Sequence, residues 1–247
     1  MAAAVATLVR PSWLPFTAFA IAIALVLDSH RRRQLLIGAA MAAALAVAML
    51  PWWIRNAQVT GRFVATSLQA GASLYDGLNP MADGSSNMTF VPDFTAAEHT
   101  AEHAADQAGG ERDTFEYRLD RRMHGAAVEW AKANPSRVAQ LAWIKFARIW
   151  NVWPNDPSFR SWPLRLAVFF TYTPLLILGL VGIWRFSPRG WPYVLAWLPA
   201  VYLTLLHMVF VGSIRYREPA MLALTVLAAG VLAGYGRKGS ALDEAPA

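Results

Sequence analysis

Arg215-Tyr216-Arg217-Glu218-Pro219 places two guanidinium groups two positions apart in a connection of only seven residues, 212–218, between apolar runs. Guanidinium forks grip phosphate oxygens through paired, charge-assisted hydrogen bonds, so this spacing suits a phosphate presented at membrane headgroup depth. Arg10, beside the helix-breaking Pro11, is a second candidate for the same face, and Lys145 a third. The plainer alternative is that these cations anchor to ordinary anionic headgroups, that the arginines pair with Glu218, or that Lys145 and Arg148 are solvated helix charges.

Histidine chemistry is weaker. His99-Thr100-Ala101-Glu102-His103 matches the His-x-x-Glu-His pattern of inverted zinc proteases. Its flanks are Ala, Glu, Asp, Gln and Gly, with no apolar periodicity to bury a catalytic helix, so a surface helix or linker is the expectation and no metal site is assigned. His207 lies inside an apolar run, where an ionisable group marks either function or helix–helix hydrogen bonding. Asn87-Met88-Thr89 matches a glycosylation sequon, a triplet that also arises by chance.

The elements that must position these residues are membrane helices. Apolar residues make up 56% of the chain and charged ones 15%, and mean hydropathy is +0.32. Cysteine is absent, which excludes thiolate catalysis, thiolate metal sites and disulfides. The 22 basic residues outnumber the 16 acidic ones, and arginines sit at the ends of the apolar runs. They read as membrane anchors rather than a nucleic-acid face, and the bilayer is the first expected partner. A crossing helix needs about 20 apolar residues. Residues 34–54, 164–184 and 191–211 meet that length, while 12–27 and 219–235 are short but uncharged and are expected to span with local thinning. An all-α, multi-span helix bundle follows.

Lys and Arg in the short connections set the orientation. Arg31 to Arg33, Arg185 with Arg189, and Arg237 with Lys238 all fall on one side, which makes that side and the C-terminus cytoplasmic. This expectation divides the chain into N-terminal membrane helices (1–54), an outer region (55–163), a C-terminal membrane segment (164–236) and a tail (237–247). Residues 1–9 read as half of an outward span whose start is missing, broken at Arg10-Pro11.

The outer region is long enough to fold back on the membrane surface. Gly71 to Pro80 is rich in turn signals and carries Leu74 and Tyr75 as buriable side chains, and 82–89 reads as a mobile tip. A helical pattern runs from Glu111 to Ala133, and Asn134 before Pro135 is expected to cap a second helix to about Trp150. There Trp143, Phe146 and Trp150 share one face, opposite a basic face of Lys145 and Arg148 suited to headgroups or phosphates.

The ordered set Leu8-Val9-Arg10-Pro11-Ser12, the Arg31–Arg33 cluster, Pro51-Trp52-Trp53-Ile54-Arg55-Asn56, Gly61-Arg62-Phe63-Val64, Leu74-Tyr75-Asp76-Gly77-Leu78-Asn79-Pro80 and Arg215-Tyr216-Arg217-Glu218-Pro219 covers most of the chain. It resembles the C-terminal half of integral-membrane GT-C glycosyltransferases of the protein-mannosyltransferase and aminoarabinose-transferase type. The resemblance implies sugar transfer from a polyprenyl-phosphate donor to an acceptor at the outer face of a bacterial inner membrane, with no cofactor. It points to Arg215, Arg217, Arg10 and Lys145 for the donor phosphate and to Tyr75 and Asn79 as a loop motif. The family's catalytic carboxylate lies in a first outer loop that this sequence does not reach, so no catalytic base is assigned and Asp76 and Asp93 do not inherit that role. Leu78 stands where the family commonly has Asn. The competing reading is a non-catalytic membrane protein: a lipid-phosphate-binding or assembly subunit, or a gene remnant. A transporter is third, since no charge sits in the middle of any span to couple an ion.

Overall fold

The computed structural model describes residues 2–28, 30–106, 113–153 and 161–243. Among them are ten α-helices and no strand: α1 (Ala2–Val9), α2 (Phe16–Leu27), α3 (Arg31–Thr60), α4 (Ala70–Gly77), α5 (Val91–Asp106), α6 (Phe115–Ala133), α7 (Pro135–Trp150), α8 (Trp162–Phe186), α9 (Trp191–Val209) and α10 (Glu218–Asp243). Counting flanking 3-10 turns, four helical segments are long and apolar enough to cross a membrane: Arg31–Thr60, Trp162–Arg189, Trp191–Val209 and Ile214–Gly234.

Residues 12–27 are short, as the sequence indicates. A 3-10 turn at Pro11–Trp13 precedes α2, which holds only 12 residues. Those residues alone rise about 18 Å against a hydrocarbon core of about 30 Å, and with the preceding turn the apolar helical segment runs Pro11–Leu27. The break at Arg10, whose backbone is extended, falls where Arg10-Pro11 placed it.

The chain divides into two compact units, Met1–Ala142 with Val209–Val211, and Trp143–Met208 with Gly212–Ala247. The division runs through α7. In the first unit, α3 continues past the expected end at Ile54 and stops at Gly61, whose φ of 68° closes the helix in the left-handed region. Its Pro-Trp-Trp-Ile-Arg-Asn motif then ties the following chain back. Trp52 Nε1 donates to the Thr66 carbonyl (2.8 Å), Trp53 Nε1 to Ala65 (2.9 Å) and Asn56 Nδ2 to Val64 (3.0 Å). Carbonyls of an irregular segment, buried at Val64, are thereby satisfied by side chains of the helix before it.

The expected turn-rich stretch 71–80 is instead mostly α4. Its glycines serve packing rather than turning: a Cβ on Gly71 would overlap the main-chain carbonyl of Asp120 on α6. The Gly71 N–H donates to Asp120 Oδ1 at 2.7 Å across the same contact. The helix expected from Glu111 is observed from Phe115, with 111–112 outside the described residues, and α7 begins at Pro135. Asn134 stands at the expected N-cap position, its carbonyl accepting from the Val138 N–H (3.0 Å), while its side-chain Nδ2 donates to the Trp130 carbonyl at the end of α6 (2.9 Å).

An ion-pair network fastens α5 to α6. Glu98, 3% exposed at its side chain, accepts from Arg118 Nε (2.6 Å) through one oxygen and from Arg122 Nε (2.7 Å) through the other. Arg118 also donates to Glu102 (2.6 Å) and to the Asp113 carbonyl. Burial pushes the Glu98 carboxyl up, but the two arginine hydrogen bonds and charges outweigh it and hold the group below its ordinary value. A carboxyl depressed in the folded state stabilises the fold above its unfolded pKa, and that contribution fades as pH falls through the lowered folded value. Glu98→Gln is therefore expected to cost about 2 kcal/mol at neutral pH. The difference in thermal unfolding between wild type and variant should shrink steadily below about pH 4. A difference independent of pH down to 2 would remove the ionised pair as its source.

In the second unit, α8 and α10 meet through small residues. Gly182 on α8 lies so close to α10 that a Cβ would come within 2.7 Å of the Leu227 carbonyl. Phe186, Leu227 and Val231 form the buried centre, with Ala196 and Trp197 of α9 packed against it. α10 runs beyond Tyr235 to Asp243, so 237–243, expected as a tail, continues the helix.

Candidate functional site

The second unit gathers three of the four cations singled out by sequence. Pro135 starts α7 and Trp150 ends it, and the connection 212–218 lies along the face of α7 that carries Lys145 and Arg148. Gly212 permits that approach, because a Cβ there would fall 2.8 Å from the Lys145 Cα. Arg148 Nε donates weakly to the Gly212 carbonyl at 3.4 Å.

This contact corrects the expectation for Lys145. Rather than standing on a solvent- or headgroup-facing surface, Lys145 is 0% exposed, with the main chain at Gly212 packed against its backbone. Arg217 is also enclosed, at 8% exposed. Its NH1 donates to the carbonyls of Ile149 (3.1 Å) and Asn151 (2.7 Å), and its guanidinium carbon lies 3.7 Å from the centre of the Tyr172 ring. A cation at the C-terminal end of a helix meets carbonyls left without intrahelical donors, and the face of an aromatic ring adds further attraction. Arg215, two residues earlier on the same 3-10 turn, is exposed, with its backbone N–H on Ser213 Oγ. Tyr216 between them stacks on His207 of α9, ring centres 3.7 Å apart. The turn thus presents one arginine inward and one outward.

Ile149 and Asn151 bracket Trp150, and Trp150 lines a cavity of about 580 Å³. Trp143 and Phe146 join it from α7, with Leu180 of α8, Trp197 and Val201 of α9 among the other walls. The lining is almost wholly apolar, and one of its few polar contacts is internal: Trp150 Nε1 donates to Thr204 Oγ1 at 3.0 Å. The aromatic face expected on α7 is thus the wall of a cavity that also includes three apolar helices. Tyr172 and Thr204 complete these contacts. Neither was marked by the sequence, since a Tyr or Thr within an apolar run gives no periodic signal.

Arg10, Tyr75 and Asn79 belong to the first unit. Arg10 is half-buried at the break after α1. Tyr75 packs edge-on against Phe90 and Phe94, each ring centre 4.8 Å away. Asn79 Nδ2 donates to the Tyr75 carbonyl (2.7 Å) while its Oδ1 accepts from the Met81 N–H (2.7 Å), which turns the chain after α4. Beneath them Asp76, 3% exposed, accepts from Ser86 Oγ (2.6 Å) and the Asn87 N–H (2.7 Å). Residues 82–89, expected as a mobile tip, are tied down by that buried carboxylate. Asn87, the sequon residue, caps the short turn Met88–Phe90 by accepting from the Thr89 N–H. In the His-x-x-Glu-His segment, His99 stacks on Phe115 (4.3 Å) while Glu102 is engaged by Arg118. No group of side chains suited to a metal occurs among the described residues.

No protein-family model, no curated protein and no solved structure matches this chain.

Proposed function

We propose that this chain works as part of a membrane glycosyltransferase of the GT-C type, taking a sugar from a polyprenyl-phosphate donor at the extracytoplasmic face of a bacterial inner membrane. One observation carries the reading. Arg217 is fixed at the two carbonyls that bracket Trp150, and the Trp150 indole lines an apolar cavity of about 580 Å³. An isoprenoid chain suits the cavity, and its phosphate suits the guanidinium groups of Arg217 and the exposed Arg215. Lys145, buried beside Gly212, supports the turn that carries them. Arg10 is the further cation for the same face, and Tyr75 with Asn79 shape the outer region. The orientation that places residues 55–163 outside and the C-terminus in the cytoplasm rests on the charge rule and the ordered motifs. No residue of this chain is assigned as the catalytic base.

One feature favours a second reading, a lipid-phosphate-binding protein that performs no transfer: NH1 of Arg217 is committed to main-chain carbonyls, as in a structural clamp. Binding and transfer separate the two. In nanodiscs, Arg215→Lys and Arg217→Lys should each bind a polyprenyl phosphate about tenfold to a hundredfold more weakly than wild type, because Lys keeps the charge but loses the fork. Equal affinity in all three proteins, with unchanged unfolding, would end the donor-site reading. Sugar transferred by the wild type from a labelled polyprenyl-phosphate donor to water or an added acceptor, and reduced in both variants along with binding, supports the transferase; variant-sensitive binding of the phosphate with no transfer, even in the full reading frame, supports the second reading.

A further inference from the structure

Arg62, Arg118, Arg121 and Arg122 line a recess of about 530 Å³ in the first unit, with Glu98 and Asp113 as its carboxylates. The arginines come from two places: Arg62 follows the left-handed Gly61 that ends α3, and the other three stand on α6. The carboxylates do not fill the arginines. Both oxygens of Glu98 are taken by the Nε atoms of Arg118 and Arg122, and Asp113 Oδ1 is taken by Arg62 Nε at 2.6 Å. Arg122, engaged only through Nε, keeps both terminal nitrogens. Arg121 is exposed and makes no ion pair or side-chain hydrogen bond among the described residues. A buried carboxylate thus fixes two of the guanidinium groups through their Nε atoms, and the terminal nitrogens of Arg122 and the whole group of Arg121 stay open.

We infer that this recess is a phosphate-binding site, taking the phosphate of a soluble ester or of a lipid headgroup. The geometry favours a tetrahedral oxyanion over a planar carboxylate. A carboxylate presents its two oxygens in one plane, whereas a phosphate presents its oxygens tetrahedrally. Arg121 and Arg122, side by side in sequence with a third guanidinium on Arg62 across the recess, can meet a tetrahedral anion from more than one direction. The lining carries four positive charges against two negative ones, and the recess is open to solvent. The site is built from residues other than Arg215 and Arg217 and does not depend on the reading of the chain as a transferase.

The test uses the full chain in phosphatidylcholine nanodiscs, titrated with inorganic phosphate in one arm and dihexanoyl phosphatidate in the other, followed by 31P NMR at physiological salt. Arg121→Gln and Arg122→Gln keep Arg215 and Arg217 intact, so any phosphate bound there contributes equally to wild type and variants. Each is expected to weaken binding at the recess about tenfold to a hundredfold, with Arg121→Lys falling between wild type and Arg121→Gln. Arg121 makes no ion pair or side-chain hydrogen bond among the described residues, so Arg121→Gln should unfold at the wild-type temperature. Variant-sensitive binding of phosphate alone identifies a soluble phosphate ester, and tighter variant-sensitive binding of phosphatidate identifies a lipid headgroup. Absence of saturable binding in both arms, or binding unchanged in Arg121→Gln and Arg122→Gln, would overturn the site. Acetate binding as tightly as phosphate would overturn its assignment to phosphate.

Discussion

Arg217→Leu is expected to lower the stability of the protein by about 3 kcal/mol without any ligand present, while Arg215→Leu leaves it nearly unchanged. The two arginines are two residues apart and identical in charge, yet Arg217 is 8% exposed and Arg215 is on the surface. Leucine at 217 removes two donors from the Ile149 and Asn151 carbonyls and the cation from the face of Tyr172. Acceptors left unsatisfied in an enclosed site carry their full desolvation cost, whereas an exposed guanidinium exchanges protein for water. Thermal unfolding in detergent, followed by tryptophan fluorescence, measures both. Equal small shifts in the two variants would mean that the clamp on α7 contributes nothing to folding. The comparison also calibrates donor binding, since loss of affinity in an Arg217 variant is interpretable once its folded fraction is known.

Gly71→Ala and Gly125→Ala should act in opposite directions although each adds one methyl group to a helix. At Gly71 the new Cβ would overlap the main-chain carbonyl of Asp120, and a backbone atom cannot swing aside as a side chain can. Separating α4 from α6 would also break the bond from the Gly71 N–H to Asp120 Oδ1. The expected loss is about 3 kcal/mol, at the upper end for overpacking. Gly125 on α6 has nothing within 4 Å of an added Cβ, so alanine there gains helix propensity of up to about 1 kcal/mol. Chemical denaturation of the two variants provides the check. Matching shifts would show that α4 and α6 do not approach as closely as described.

Sequence by itself determined the helical class and most of the long apolar helices, because the cost of leaving backbone groups unpaired in hydrocarbon leaves a run such as 164–184 no alternative to a helix. It also located the break at Arg10-Pro11 and the start of α7 at Pro135, since proline restricts its own backbone and that of the residue before it. Tertiary structure decided what the glycines and charges do. Gly71 and Gly77 carry the same local signal as turn residues, and only α6 opposite Gly71 and the Phe210 carbonyl opposite Gly77 reveal them as points of close approach. Lys145 has the periodicity of a surface cation, yet it is fully buried, with the chain at Gly212, 67 positions away in sequence, laid against its backbone. Arg215 and Arg217 look alike in sequence, and the choice between solvent and the carbonyls of α7 belongs to the packing of the turn. Local spacing reports backbone preferences and faces. Burial and pairing depend on which distant segment arrives, and that is settled by contacts no short stretch of sequence contains.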